Sequence, residues 1–179
     1  MMGVMMDITT ALVIIPPHEV QAIAVPLLRQ YMPDGPVRLP AHITLLYPFA
    51  PLDDLPAARR RLQTCCTGIE PFPITLHDFG HFPDVVYMQI LNPEPVKNLF
   101  RQINAAFPEY PPYEGRYGND LHPHITVGKV PDDAETRAAL LPDYEPITFM
   151  VNRLHVLSGV EDSALPWLTE AVVPLGNVE

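Results

Sequence analysis

The sequence repeats one short phrase: His42-Ile43-Thr44 within AHITLLYPF, and His124-Ile125-Thr126 within PHITVGKV. Each copy opens a short apolar, β-branched run, which predicts a strand. Side chains alternate across a strand, so His and Thr two apart share one face while the Ile between them takes the other. Each copy thus sets an imidazole beside a hydroxyl and leaves the isoleucine for the core. Two such strands face to face would place two proton-transfer groups and two hydroxyl donors around one small anion. That set suffices for acid–base chemistry at a phosphoester, with neither a metal nor a covalent nucleophile. A lone His-x-Thr carries little weight, because so short a pattern recurs by chance. Two copies sharing the central Ile and the strand context carry far more.

An imidazole titrates near pH 6.5, roughly, so close to neutrality one histidine can be neutral while a second is charged. In these motifs the chain resembles the two-histidine phosphoesterase superfamily, the group that includes 2′-5′ RNA ligase-like proteins and cyclic nucleotide phosphodiesterases. That group is marked by a duplicated His-x-Thr/Ser-x motif, matched here by His42/Thr44 and His124/Thr126. PFPITLHDFGHFPDVVYMQI resembles its central strand pair, and ITFMVNRLHVLSGVEDSALPWLTEAVVPL resembles its closing hairpin. The likeness runs from about Met5 to Leu175.

The resemblance implies an α+β fold: duplicated β-α-β units in two lobes related by a pseudo-twofold axis, with mixed, mainly antiparallel sheets forming a central cleft and helices outside. Residues 1–179 would form a single two-lobed domain. It implies catalytic roles for His42, His124, Thr44 and Thr126 in opening a 2′,3′-cyclic phosphate or a 2′-5′ linkage. One imidazole takes a proton from water, the other protonates the departing ribose oxygen, and the threonines donate to the non-bridging oxygens. Which histidine is acid and which base stays open. Reversible 2′-5′ RNA ligation is the alternative within the superfamily; a non-catalytic module that binds a nucleotide or RNA end is the alternative outside catalysis.

The candidate substrate-binding residues are Tyr117, Arg116, His122 and Phe82. Tyr117 and His122 stand just before the second motif, and His122 shares the His124 face if that strand begins early, although Pro123 favours an edge or loop there. Arg116, Lys129 and Arg153 offer positive charge, with Lys129 of opposite parity to His124. Phe82, Tyr47 and Tyr113 could stack on a base, with packing the ordinary role for each. His77 and His81 are four apart, but Asp78-Phe79-Gly80 between them reads as strand rather than metal-binding helix, and no His-Glu-x-x-His is present. No metal or cofactor is expected. His18 and His155 read as structural. Neither a Walker loop nor a dinucleotide turn nor a Gly-x-Ser-x-Gly elbow occurs.

Eleven Lys and Arg against 21 Asp and Glu, a net charge of −10, leave little for the basic face that long nucleic acid requires. A phosphate ligand should therefore be small, a nucleotide or short RNA terminus held by a local cluster, with the protein acting as a monomer. No apolar stretch reads as a membrane span. The opening MMGVMMDITTALVIIPP lacks the marks of a signal peptide. The adjacent Cys65-Cys66 pair has neither disulfide nor zinc spacing, which favours a cytoplasmic setting.

The elements that must position the motifs follow from local pattern. Strands are expected at Ala11–Ile15, across AHITLLYPF, at Ile74–Phe79 and Val85–Leu91 about a Pro83-Asp84 turn, across PHITVGKV, and near Phe149–Leu157 and Leu168–Pro174. Helices are expected from Pro16-Pro17 to Tyr31, over Leu55–Thr67 ending at Gly68, over Glu94–Phe107, and from Asp132-Asp133 to Leu141. Pro108–Asp120 reads as a loop. An Asp-Asp cap, Asp53-Asp54 and Asp132-Asp133, follows each motif strand, an echo that fits two similar lobes.

Overall fold

The computed structural model describes residues 7–32, 39–116, 118, 120–129, 133–161, 163 and 165–177. In chain order the elements are β1 (Ile8–Ile14), α1 (His18–Tyr31), β2 (Ile43–Leu46), α2 (Leu55–Thr67), β3 (Phe72–Phe82), β4 (Val85–Ile90), α3 (Glu94–Ala106), β5 (His124–Gly128), α4 (Ala134–Leu140), β6 (Ile147–Val151), β7 (Arg153–Val160) and β8 (Leu168–Pro174). Their strands form two four-stranded sheets, ordered β2-β1-β7-β8 and β5-β4-β3-β6, and every pairing is antiparallel. The architecture is α+β.

The duplication appears as β1-α1-β2 and β4-α3-β5, each a strand, a helix and an antiparallel motif strand. Both motif strands end as the outer strand of their sheet, and there β2 and β5 meet. The ties between the units are reciprocal. Helix α1 packs on β5 of the other sheet, and Lys129, just past β5, donates its N–H to the Tyr31 carbonyl at the end of α1. Tyr113, beyond α3, donates its N–H to the Tyr47 carbonyl just past β2. Gly128 permits the first tie, since a Cβ there would stand 2.5 Å from the Tyr31 Cβ.

Helix periodicity sets the inner faces. Val20, Ala24 and Leu27 of α1, Ala58, Leu62 and Cys66 of α2, and Val96, Leu99, Phe100 and Ile103 of α3 are buried at three- and four-residue intervals. One apolar cluster joins these faces to the inner faces of both sheets. Burial pushes the Cys66 thiol up to about 12, so this cysteine packs as an apolar residue and holds no thiolate at neutral pH. Among the described residues no helix is long and apolar enough to cross a membrane.

Two expectations need correction. The single strand expected near Phe149–Leu157 is two strands in different sheets, β6 and β7, broken at Asn152. The inward apolar positions run Phe149, Val151 and then Leu154, Val156, so the two-residue period slips by one at the break. The Asp-Asp caps also differ. Asp133 accepts from the Thr136 N–H at 2.7 Å, whereas Asp54 makes no side-chain cap bond, because a 3-10 turn at Leu52–Asp54 runs straight into α2. Asp132 lies outside the described residues.

Candidate active site

His42 stands immediately before β2 and His124 opens β5. The alternation that the motif demands is obeyed: Ile43 and Ile125 are fully buried, while His42, Thr44, His124 and Thr126 are half-buried on the opposite faces. The register sets Thr44 opposite Val13, Thr126 opposite Tyr87 and His124 opposite Gln89.

The two imidazoles are anchored alike. His42 Nδ1 is 2.8 Å from the Pro40 carbonyl oxygen, and His124 Nδ1 is 2.7 Å from that of His122. A carbonyl only accepts, so Nδ1–H is the donor in both. The neutral ring then leaves Nε2 as an unprotonated acceptor, and the bond fixes the ring's orientation. The carbonyl used lies two residues upstream in both copies.

Burial holds His42 below its ordinary value, against a smaller upward pull from the Pro40 carbonyl. Burial also holds His124 down; charge on His122 and on His42 acts in the same direction, and the His122 carbonyl opposes them. The charge of one motif histidine is thus felt at the other. Without a ligand the site favours neutral imidazoles at neutral pH, and an anion between them would restore the charged form.

Phe82 and His122 gather around His124. The Phe82 ring is 5.1 Å from each of the His122 and His124 rings and meets both edge-on, while His122 lies 6.1 Å from His124. Tyr87 completes this collar at 5.2 Å from His124, 5.3 Å from His122 and 4.6 Å from Phe82. Tyr87 is not among the candidates drawn from the sequence. Its signal is parity: in VVYMQI, Val86, Met88 and Ile90 take the core face, so Tyr87 and Gln89 must face the cleft.

Arg116 is not brought to this group by any contact among the described residues; exposed, it pairs with Glu114 at 2.9 Å. Tyr117 lies outside the described residues. The Lys129 side chain is exposed beyond β5. His77 and His81 both lie on β3, and among the described residues no group of three or more His, Cys, Asp or Glu side chains is placed to hold a metal ion. The set of groups around the two motifs can move protons and donate hydrogen bonds to an anion.

The model of the 2′-5′ RNA ligase superfamily matches residues 16–163, most of the chain and both motifs. The chain belongs to this superfamily. Two bacterial relatives carry the name "Putative phosphoesterase". That of Geobacillus thermodenitrificans is 26% identical over 148 residues, covering 79% of this chain and 82% of the relative. That of Geobacillus kaustophilus is 27% identical over 123 residues, covering 66% and 67%. Two solved structures share the fold of this chain. Escherichia coli LigT in complex with 3′-AMP has a TM-score of 0.63 at 15% identity, over 95% of this chain and 99% of LigT. TT0787 of Thermus thermophilus has a TM-score of 0.64 at 20% identity, over 95% and 100%.

Proposed function

We propose that this protein is a metal-independent phosphodiesterase that hydrolyses a 2′,3′-cyclic phosphate, on a nucleotide or a short RNA terminus, or a 2′-5′ phosphodiester. The observation that carries the proposal is the matched anchoring of His42 and His124, each with Nδ1 held by a backbone carbonyl and with their charges coupled. Binding alone does not require two oriented titrating groups.

In the mechanism the phosphate anion enters the cleft and raises both histidine pKa values, so that one ring becomes charged. The neutral ring's Nε2 takes a proton from water as the water oxygen attacks phosphorus. The charged ring gives its proton to the leaving ribose oxygen as that P–O bond breaks. Thr44 and Thr126 donate to the non-bridging oxygens, where charge accumulates. The product is a ribose monophosphate with a free neighbouring hydroxyl, and proton exchange with solvent resets the two rings. LigT, of the same fold, has been crystallised with 3′-AMP, ATP, NADP+ and phosphate, in keeping with a small phosphorylated ligand. The net charge of −10 weighs against holding two RNA ends for ligation.

The test offers purified protein, with chelator present, nucleoside 2′,3′-cyclic phosphates, short 2′-5′ oligonucleotides, and paired RNA ends for ligation. Hydrolysis of a cyclic phosphate or 2′-5′ bond is the expected result. Ligation without hydrolysis, or binding without turnover, would overturn it.

A further inference from the structure

Where β6 passes into β7, a cavity of about 350 Å³ opens between the end of β1 and the start of β7. That volume is at the small end of ligand-binding sites. Its polar lining is Asn152, Arg153 and His155; Ile15 and Met150 are among its apolar walls, and no lining residue is acidic. On a chain of net charge −10, this is a local site of the opposite sign.

Two of these polar groups lack the partners that burial or charge would demand. His155 Nδ1 is shut off from solvent and makes no hydrogen bond, although the sequence alone marks this histidine as structural. Arg153 Nε donates to Asn152 Oδ1 at 3.1 Å, and no carboxylate among the described residues pairs with its guanidinium. Burial, and then the Arg153 charge, hold His155 below its ordinary value, so its ring is neutral at neutral pH and Arg153 is the cation among the described residues that line the cavity.

Strand register places the cavity beside the motif. Thr44 is opposite Val13, and Val13 is opposite His155, so all three share the cleft face across β2, β1 and β7. β2 and β7 run in the same direction, so stepping back two residues on each brings His42 level with Arg153, with Ile15 between them. Two strand spacings separate their backbones, about 10 Å.

We propose that this cavity is a subsite for a second phosphate, the one on the 5′ oxygen of the nucleoside whose 2′,3′-phosphate is opened at His42 and His124. Arg153 grips it through the forked guanidinium, which matches phosphate oxygens two at a time. This subsite rests on the phosphodiesterase reading above and makes Arg153 the group that favours a 5′-phosphorylated substrate over a free nucleoside cyclic phosphate.

The experiment measures binding and turnover separately. Adenosine 3′,5′-bisphosphate should bind the wild-type protein about 10- to 100-fold more tightly than adenosine 3′-phosphate by calorimetry, the scale of one added charge-assisted contact. Arg153→Ala should abolish that preference while leaving adenosine 3′-phosphate affinity unchanged, and Arg153→Lys should retain part of it. In turnover, Arg153→Ala should raise KM for 5′-phosphorylated adenosine 2′,3′-cyclic phosphate by a similar factor, with kcat and the kinetics of the unphosphorylated analogue unaltered. No preference in the wild type, or equal weakening of both ligands by Arg153→Ala, overturns the subsite. If neither substrate is hydrolysed but the Arg153-dependent preference is seen, the subsite stands and the phosphodiesterase reading fails.

Discussion

Gly80→Ala perturbs the candidate site from a residue that touches neither motif. Gly80 lies in β3 directly opposite Tyr87. A Cβ there would stand 2.5 Å from two ring carbons of Tyr87 and 2.7 Å from its hydroxyl oxygen, where ordinary contact begins at 3.4 Å. The ring must therefore retreat by about 0.9 Å, the difference between those distances. It cannot swing into solvent, because Tyr87 is only 6% exposed and wedged among Phe82, His122 and His124. The displacement is passed to the His124 ring. Overpacking of this kind costs about 1–3 kcal/mol, which lowers the melting temperature of a chain this size by roughly 2–12 °C. A catalytic group moved by around 1 Å loses on the order of 100-fold in rate. Thermal melts with steady-state kinetics on a nucleoside 2′,3′-cyclic phosphate should show both losses, with kcat falling about 10- to 100-fold. The double variant Gly80→Ala/Tyr87→Leu removes the colliding atoms and should regain much of the melting temperature. A Gly80→Ala protein that melts at the wild-type temperature and turns over at the wild-type rate would refute the chain of contacts from β3 to His124.

Further outcomes follow from the same geometry. His42→Ala and His124→Ala should each lower turnover by about two to four powers of ten with the fold intact by circular dichroism, and Thr44→Val or Thr126→Val by about 10- to 1000-fold; full activity in either histidine variant would end the two-histidine mechanism. The rate should be bell-shaped in pH and indifferent to chelator. Because burial lowers both histidine pKa values and a bound phosphate raises them, the kcat profile should lie at higher pH than the kcat/KM profile; coincident profiles would contradict the coupling. Stability carries the same sign. With folded values below the unfolded value of about 6.5, the unfolded chain binds more protons in that window, so stability is present above it and is lost as pH falls through the folded values. Urea midpoints should drop from about pH 7.5 to about pH 5, and His42→Asn should flatten that slope.

Much of this protein is legible residue by residue. The parity of His-Ile-Thr, the burial of Val96, Leu99, Phe100 and Ile103, the limits of α2 at Leu55–Thr67 and the Pro83-Asp84 turn all depend on neighbours within four residues, and periods of two and 3.6 encode them. The motif histidines are visible for the same reason, since each is anchored by a carbonyl only two residues away. A period assigns a face, however, and does not name the partner across it. The break at Asn152, which sends β6 to one sheet and β7 to the other, is a slip of one residue in an otherwise regular two-residue alternation. The placing of both motif strands at sheet edges where β2 meets β5, the Tyr87 collar around His124, and the alignment of His42 with Arg153 across β1 all join residues dozens of positions apart. Such non-local pairings are chosen only when the sheets assemble, because antiparallel register is set by which surfaces can be buried together.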